Sequence, residues 1–172
     1  IRITISSVTS DSLWRCTWSV YPDFATMTLT KADGHYWFLY EGTPGGVLEE
    51  NQDYLVLSDG TRHPLSESWV EDLPAQEWLY FADGTADRSL VLIHHADDTA
   101  LDQYWPMEGN MTVFGFGREY PCCDQYLSEV PAQFTIGVVE SREYAEIAEF
   151  VQMIRQEPDV KLGRVELRSE VE

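Results

Sequence analysis

Ala25-Thr26-Met27-Thr28-Leu29-Thr30 alternates apolar and hydroxyl-bearing side chains, and it runs through Asp33-Gly34 into the aromatic stretch Tyr36-Trp37-Phe38-Leu39-Tyr40. A period of two puts Ala25, Met27 and Leu29 on one face of a pleated strand and the three threonines on the other. β-branched and aromatic side chains fit such a half-buried surface. Asp-Gly supplies the positive φ angles of a tight turn. Residues 24 to 41 therefore predict a β-hairpin.

The same reading extends outward. Ile1-Arg2-Ile3-Thr4-Ile5-Ser6 alternates with three isoleucines on one face, and Trp14, Cys16, Trp18 and Val20 alternate with Arg15, Thr17 and Ser19. Turn formers recur at Pro44-Gly45-Gly46, Asp59-Gly60 and Asp83-Gly84, and strand-like runs lie at 53–58, 77–82, 88–95, 111–117 and 133–139. Many short strands without helical periodicity between them predict a mainly β fold, an antiparallel β-sandwich of jelly-roll or supersandwich type. The period changes once, at about 141–156, where Tyr144, Ile147, Ala148, Val151 and Ile154 recur at helical spacing. Ser141 is the expected N-cap, Arg155 sits near the negative end of the helix dipole, and Pro158 stops the helix. A last strand is expected from Lys161 to Arg168, and Trp14, Trp18 and Trp37 are expected in the core.

Length and composition bound the rest. A chain of 172 residues suits one domain spanning 1–172. Because it opens at Ile1 inside a strand pattern, it is expected to be a fragment or processed part of a longer chain. With 44% hydrophobic and 13% aromatic residues it has the apolar surface that folding requires. Thirty acidic against eleven basic residues give a net charge of −19, which disfavours nucleic acid and anionic lipid as partners. The longest undiluted apolar run, Leu90-Val91-Leu92-Ile93, is far too short for membrane insertion as a helix. Cys16, Cys122 and Cys123 lack the paired spacing of a zinc site; either Cys122 or Cys123 can meet Cys16, or the two can pair with each other. This favours an extracytoplasmic or secreted setting.

The densest set of chemistry-bearing residues is His94 to Asn110, read as a long connection on a rigid β frame. For a metal, His94, Asp97, Asp98 and Asp102 are the candidate ligands, with Ca²⁺ the one cofactor expected from the acidic set, although the spacing of an EF-hand loop is absent. Adjacent strand residues point to opposite faces, so His94 and His95 cannot both ligate one ion. For a saccharide, Tyr104 and Trp105 offer flat faces, and His95, Glu108 and Asn110 offer hydrogen bonds. Glycosidase chemistry needs a carboxylate pair, for which Glu41, Glu77 and Glu108 are candidates. A lyase would draw on Tyr40, His95 and Arg118, but its polyanionic substrate would have to approach an acidic chain. Gly115 and Gly117, alternating with Phe114 and Phe116, mark a strand face left bare for close packing.

These readings converge on an extracytoplasmic carbohydrate-binding or carbohydrate-processing β-sandwich module, with a neutral saccharide or a protein as partner. The alternatives are a structural or assembly subunit that self-associates through edge strands or Ca²⁺, and a metal-dependent hydrolase centred on His94 and Asp97.

Overall fold

The computed structural model of the chain describes residues 1–43, 46–119 and 124–156. Its strands are β1 (Ile3–Val8), β2 (Arg15–Val20), β3 (Phe24–Lys31), β4 (Phe38–Gly42), β5 (Tyr54–Leu57), β6 (Arg62–Pro64), β7 (Trp69–Glu71), β8 (Trp78–Ala82), β9 (Ser89–His94), β10 (Asp102–Met107), β11 (Met111–Phe116), β12 (Arg118–Glu119), β13 (Asp124–Gln125) and β14 (Ala132–Val139), followed by helix α1 (Tyr144–Arg155). The large sheet has the order β1-β2-β3-β14-β9-β8-β5-β6, the small sheet β4-β11-β10-β7, and β12 and β13 form a short ribbon. All pairings are antiparallel. The expected mainly β, antiparallel sandwich-like fold with one helix, at Tyr144–Arg155, is what the described residues form.

Periodicity explains which faces are covered. Leu29, Leu79, Phe81, Leu92 and Phe134 of the large sheet pack against Tyr104, Phe114 and Phe116 of the small sheet, with Phe38 stacked on Phe134 at 4.6 Å. Trp78–Ala82 and Leu90–Ile93 are continuous apolar runs because their second face is covered too. There Trp78, Tyr80, Val91 and Ile93 meet Ile147 and Val151 of α1. Both helix residues are fully buried, a contribution of about 1.5–3 kcal/mol each. On β3 the same outer face carries Thr26 and Thr28, so alternation survives there.

Residues 24 to 41 do not form the expected hairpin. β3 pairs with β2 and β14, whereas β4 pairs with β11 in the other sheet. The Asp33-Gly34 turn, with Gly34 at φ 99, is therefore a corner between sheets. The backbone of Tyr36 exchanges hydrogen bonds with Leu127, at 2.8 and 3.0 Å, and this draws the chain off the β3 ladder. The place beside β3 goes to β14, the fifth strand after it in the chain order of the large sheet.

Three smaller differences concern ends and positions. α1 starts at Tyr144; Glu143 is the cap residue, and the buried Ser141 Oγ accepts the Glu143 N–H at 3.0 Å in the lead-in. Trp14, Trp18 and Trp37 are half-buried, and the fully sealed tryptophan is Trp78. Cys16 forms no disulfide among the described residues, while Cys122, Cys123, Pro158 and the strand expected at 161–168 lie outside them.

Candidate functional site

Residues of β4, of the β8–β9 connection and of the end of β14 line a cleft of about 700 Å³. Its lining includes Tyr40, Asp83, Arg88, Leu90, Val138 and Glu140. The connection is held by its own carboxylate. Asp83 Oδ1 accepts the N–H of Thr85 at 2.6 Å, the N–H of Ala86 at 3.0 Å and the Thr85 hydroxyl at 2.6 Å. The Thr85 hydroxyl, opposed by burial and helped by these amides, keeps the Asp83 carboxyl below the usual range. Asp53 Oδ1 takes the Gly84 N–H at 2.9 Å, and the Arg142 guanidinium donates to the Asp83 and Gly84 carbonyls. On the rim, Arg88 and Glu140 form an exposed ion pair at 2.6 Å.

The cleft thus offers an aromatic ring and two aliphatic side chains beside a charged rim whose backbone is fixed in advance. Such a mixture suits an uncharged ligand with both C–H faces and hydroxyls. It does not suit acid catalysis by Asp83, which is held as the anion.

The second candidate lies where β8 starts and β9 ends. Glu77 and His94, both almost fully sealed, meet with Oε2 2.5 Å from Nδ1, and Glu77 Oε1 accepts the Asp98 N–H at 2.6 Å. The carboxylate of Asp98 stands 3.7 Å from His94 Nδ1. Ligand atoms of Glu77, His94 and Asp98 all lie within 4.8 Å of one another. Two donors on a zinc-sized ion sit roughly 3.3 Å apart when each bond is about 2.0 Å. The Glu77–His94 distance is instead that of a hydrogen bond, so the donors are spent on each other and on the backbone.

Asp97 is exposed, and Asp102 is buried with its oxygens turned to the backbone, Oδ1 taking the Gly117 N–H at 2.9 Å and Oδ2 the Leu73 N–H at 3.2 Å. Asp97, Asp98 and Asp102 therefore do not share one set of ligand atoms among the described residues. A further carboxylate trio, Glu49, Asp53 and Asp83, also comes within 4.8 Å, but Asp53 and Asp83 serve as caps for turn amides.

No protein-family model, curated protein or solved structure matches this chain. Its functional reading rests on these geometries alone.

The stretch read as one long connection from His94 to Asn110 is half strand. It is β10, turned into β11 by Glu108 and Gly109 at φ 52 and 69. Tyr104 faces the core, fully buried, with its hydroxyl donated to Leu65 O at 2.8 Å, so it presents no ring to a ligand. Trp105 is half-buried on the opposite face, and Glu108 and Asn110 are exposed at the turn. As expected, His94 and His95 point to opposite faces: His94 stacks on Phe134 at 4.7 Å, and His95 Nε2 lies 2.9 Å from Thr135 Oγ1. Glu41 is exposed on β4, and Glu77, just ahead of β8 in the other sheet, is committed to His94.

Of the candidate site residues named from sequence, Tyr40, named there for lyase chemistry, alone lines the cleft. Asp83, Arg88, Val138 and Glu140 were missed. The available signal was Asp83-Gly84-Thr85-Ala86-Asp87-Arg88, a polar connection between two apolar strands that was read only as a turn.

Proposed function

We propose that this chain is a carbohydrate-binding module whose saccharide lies in the cleft beside Tyr40. The observation that carries the reading is the cleft's composition: Tyr40, Leu90 and Val138 beside Arg88, Glu140 and the amide-capped Asp83. A pyranose presents C–H faces that pack on such apolar groups and hydroxyls that bond such a rim. Binding rather than processing is the favoured reading, because Asp83, held as the anion by the Thr85 hydroxyl and the turn amides, is a poor acid. The net charge of −19 favours a neutral glycan over a polyanionic one. An extracytoplasmic setting, where glycans are displayed, accords with this reading.

Screening on an array of neutral glycans followed by calorimetry tests it. Tyr40→Ala is expected to weaken binding at least tenfold, from loss of about 1.4 kcal/mol of contact. Arg88→Ala, at an exposed position, is expected to weaken it without altering the fold. Absence of any saccharide binding, or binding that both variants leave unchanged, rejects the proposal.

A further inference from the structure

We propose that β1 is the contact strand of a two-fold dimer of this chain, in which the large sheets of two copies join edge to edge. Among the described residues β1 is the outermost strand of the large sheet, paired on one side with β2. All six of its residues are exposed, with Ile3 and Ile5 at 59% and 51%. An open row of backbone donors and acceptors flanked by apolar side chains is a template for another strand unless something blunts it.

The other sheet edges among the described residues are blunted. β6 has three residues and ends in Pro64, β7 has three and ends in Glu71, and β4 carries the exposed Glu41 beside the cleft. β1, Ile3-Thr4-Ile5-Ser6-Ser7-Val8, contains neither a proline nor a charge.

Charge selects the occupant. Residues 1–32 carry Arg2, Arg15 and Lys31 against Asp11 and Asp23, so the negative charge of the chain lies outside this region. Two copies repel one another through every strongly acidic face and least through this one. A basic partner would instead be drawn to the acidic remainder.

The strand is also complementary to itself. Ile3 stands opposite Val20, and Ile5 opposite Trp18, which faces Met27 and through it Phe134, so both isoleucines continue the core face of the sheet. In an antiparallel pair centred on Thr4, Ile3 of one copy faces Ile5 of the second, and Ser6 faces Arg2 on the polar side. The apolar face then runs unbroken across the junction. A two-fold contact of this kind closes on itself and leaves no β1 edge for further growth.

Sedimentation equilibrium of the 172-residue chain across a hundredfold concentration range tests this, with circular dichroism and thermal melting as controls for folding. The wild-type chain is expected to reach twice the 19.7 kDa monomer mass. The double variant Ile3→Glu, Ile5→Glu sets like charges opposite each other and is expected to stay monomeric with an unchanged melt. Ile3→Lys combined with Ile5→Glu sets opposite charges in register across the two-fold axis and is expected to restore the dimer. A wild-type chain that is monomeric throughout overturns the proposal. So does a dimer that survives the double glutamate variant, or a lysine–glutamate variant that remains monomeric.

Discussion

His94 Nδ1 and Glu77 Oε2 lie 2.5 Å apart with side-chain exposures of 3% and 1%, which makes them a polar pair enclosed at the junction of β8 and β9. The strand ladder continues through the same residues, since the His94 N–H donates to Glu77 O at 3.0 Å. The imidazole is clamped further by its stack on Phe134, and the other oxygen of Glu77 anchors the Asp98 amide that starts the next connection. Removing one member leaves a buried polar group without its partner, which costs far more than the pair's net contribution. His94→Ala is expected to lower the free energy of unfolding by about 3–5 kcal/mol. Paired with Glu77→Met in a double-mutant cycle, the two changes are expected to cost clearly less than their sum. Urea denaturation measures both; a His94→Ala cost under about 1 kcal/mol would remove this pair from the list of fold determinants.

A pH dependence follows from two neighbours of that pair. Burial, with the charges of Glu77 and Asp98 adding to it and the Gly117 and Leu73 amides opposing it, pushes the Asp102 carboxyl up to about 8. The folded chain then holds this proton more tightly than the unfolded chain, so the stability from Asp102 is complete below about pH 4 and is lost as pH rises through 8. His95 has the opposite sign: burial, then the Arg155 guanidinium and His94, push it down to about 4, so its contribution is complete above pH 6.5 and is lost as pH falls through 4. The two slopes oppose each other between 4 and 6.5, and from 6.5 to 8 only the Asp102 loss remains. Unfolding free energy is expected to decline over that upper window and to become flat there in Asp102→Asn, whatever the variant's absolute stability. An unchanged slope in the variant assigns the decline to other groups.

Nine strands were legible from alternation and turn residues because each has at least four residues and one consistently apolar face. β6, β7, β10, β12 and β13 were not, for physical reasons; β12 and β13 have only two residues each. β6 and β7 are three-residue edge segments, shorter than the period needs for recognition, and β10 contains Pro106 and mixes buried Asp102 and Gln103 with Tyr104. Pairing was less legible than strand existence. Whether Asp33-Gly34 closes a hairpin or turns a corner depends on Leu127, more than ninety residues later, capturing the Tyr36 backbone. The cleft was least legible, since it is assembled from β4, the β8–β9 connection and the end of β14, which no local pattern links.

Gly117 illustrates a sequence signal that the fold turns into packing. It adopts φ 67, and a Cβ there would lie 2.3 Å from Leu127 Cγ and 2.7 Å from Leu127 Cδ2. Gly117→Ala therefore combines left-handed backbone strain of about 1–2 kcal/mol with an overpacking cost of about 1–3 kcal/mol. Gly34, also at positive φ, has open space around its missing Cβ, so Gly34→Ala is expected to show the strain alone. Thermal denaturation of the two variants separates the contributions: Gly117→Ala is expected to be the less stable by at least about 1 kcal/mol. Equal destabilisation would mean that Leu127 yields freely and that its fit against β11 is loose.

Gly42 tests the cleft from outside the set of side chains that line it. A Cβ at Gly42 would sit 2.2 Å from the Tyr40 hydroxyl oxygen and 2.6 Å from its Cζ, so the ring has to swing away from β4. The backbone of Gly42 is not at positive φ, and the Thr112 hydroxyl donates to its carbonyl at 2.6 Å, so the strand itself tolerates alanine. The displaced ring carries the cost, at the surface on which a saccharide is proposed to stack. Gly42→Ala is thus expected to weaken saccharide binding about as much as Tyr40→Ala does, while its pairing with β11 persists in amide exchange. If calorimetry finds wild-type affinity in Gly42→Ala, the Tyr40 ring is not part of the binding surface, and the ligand must be sought among the rim groups Arg88, Asp87 and Glu140.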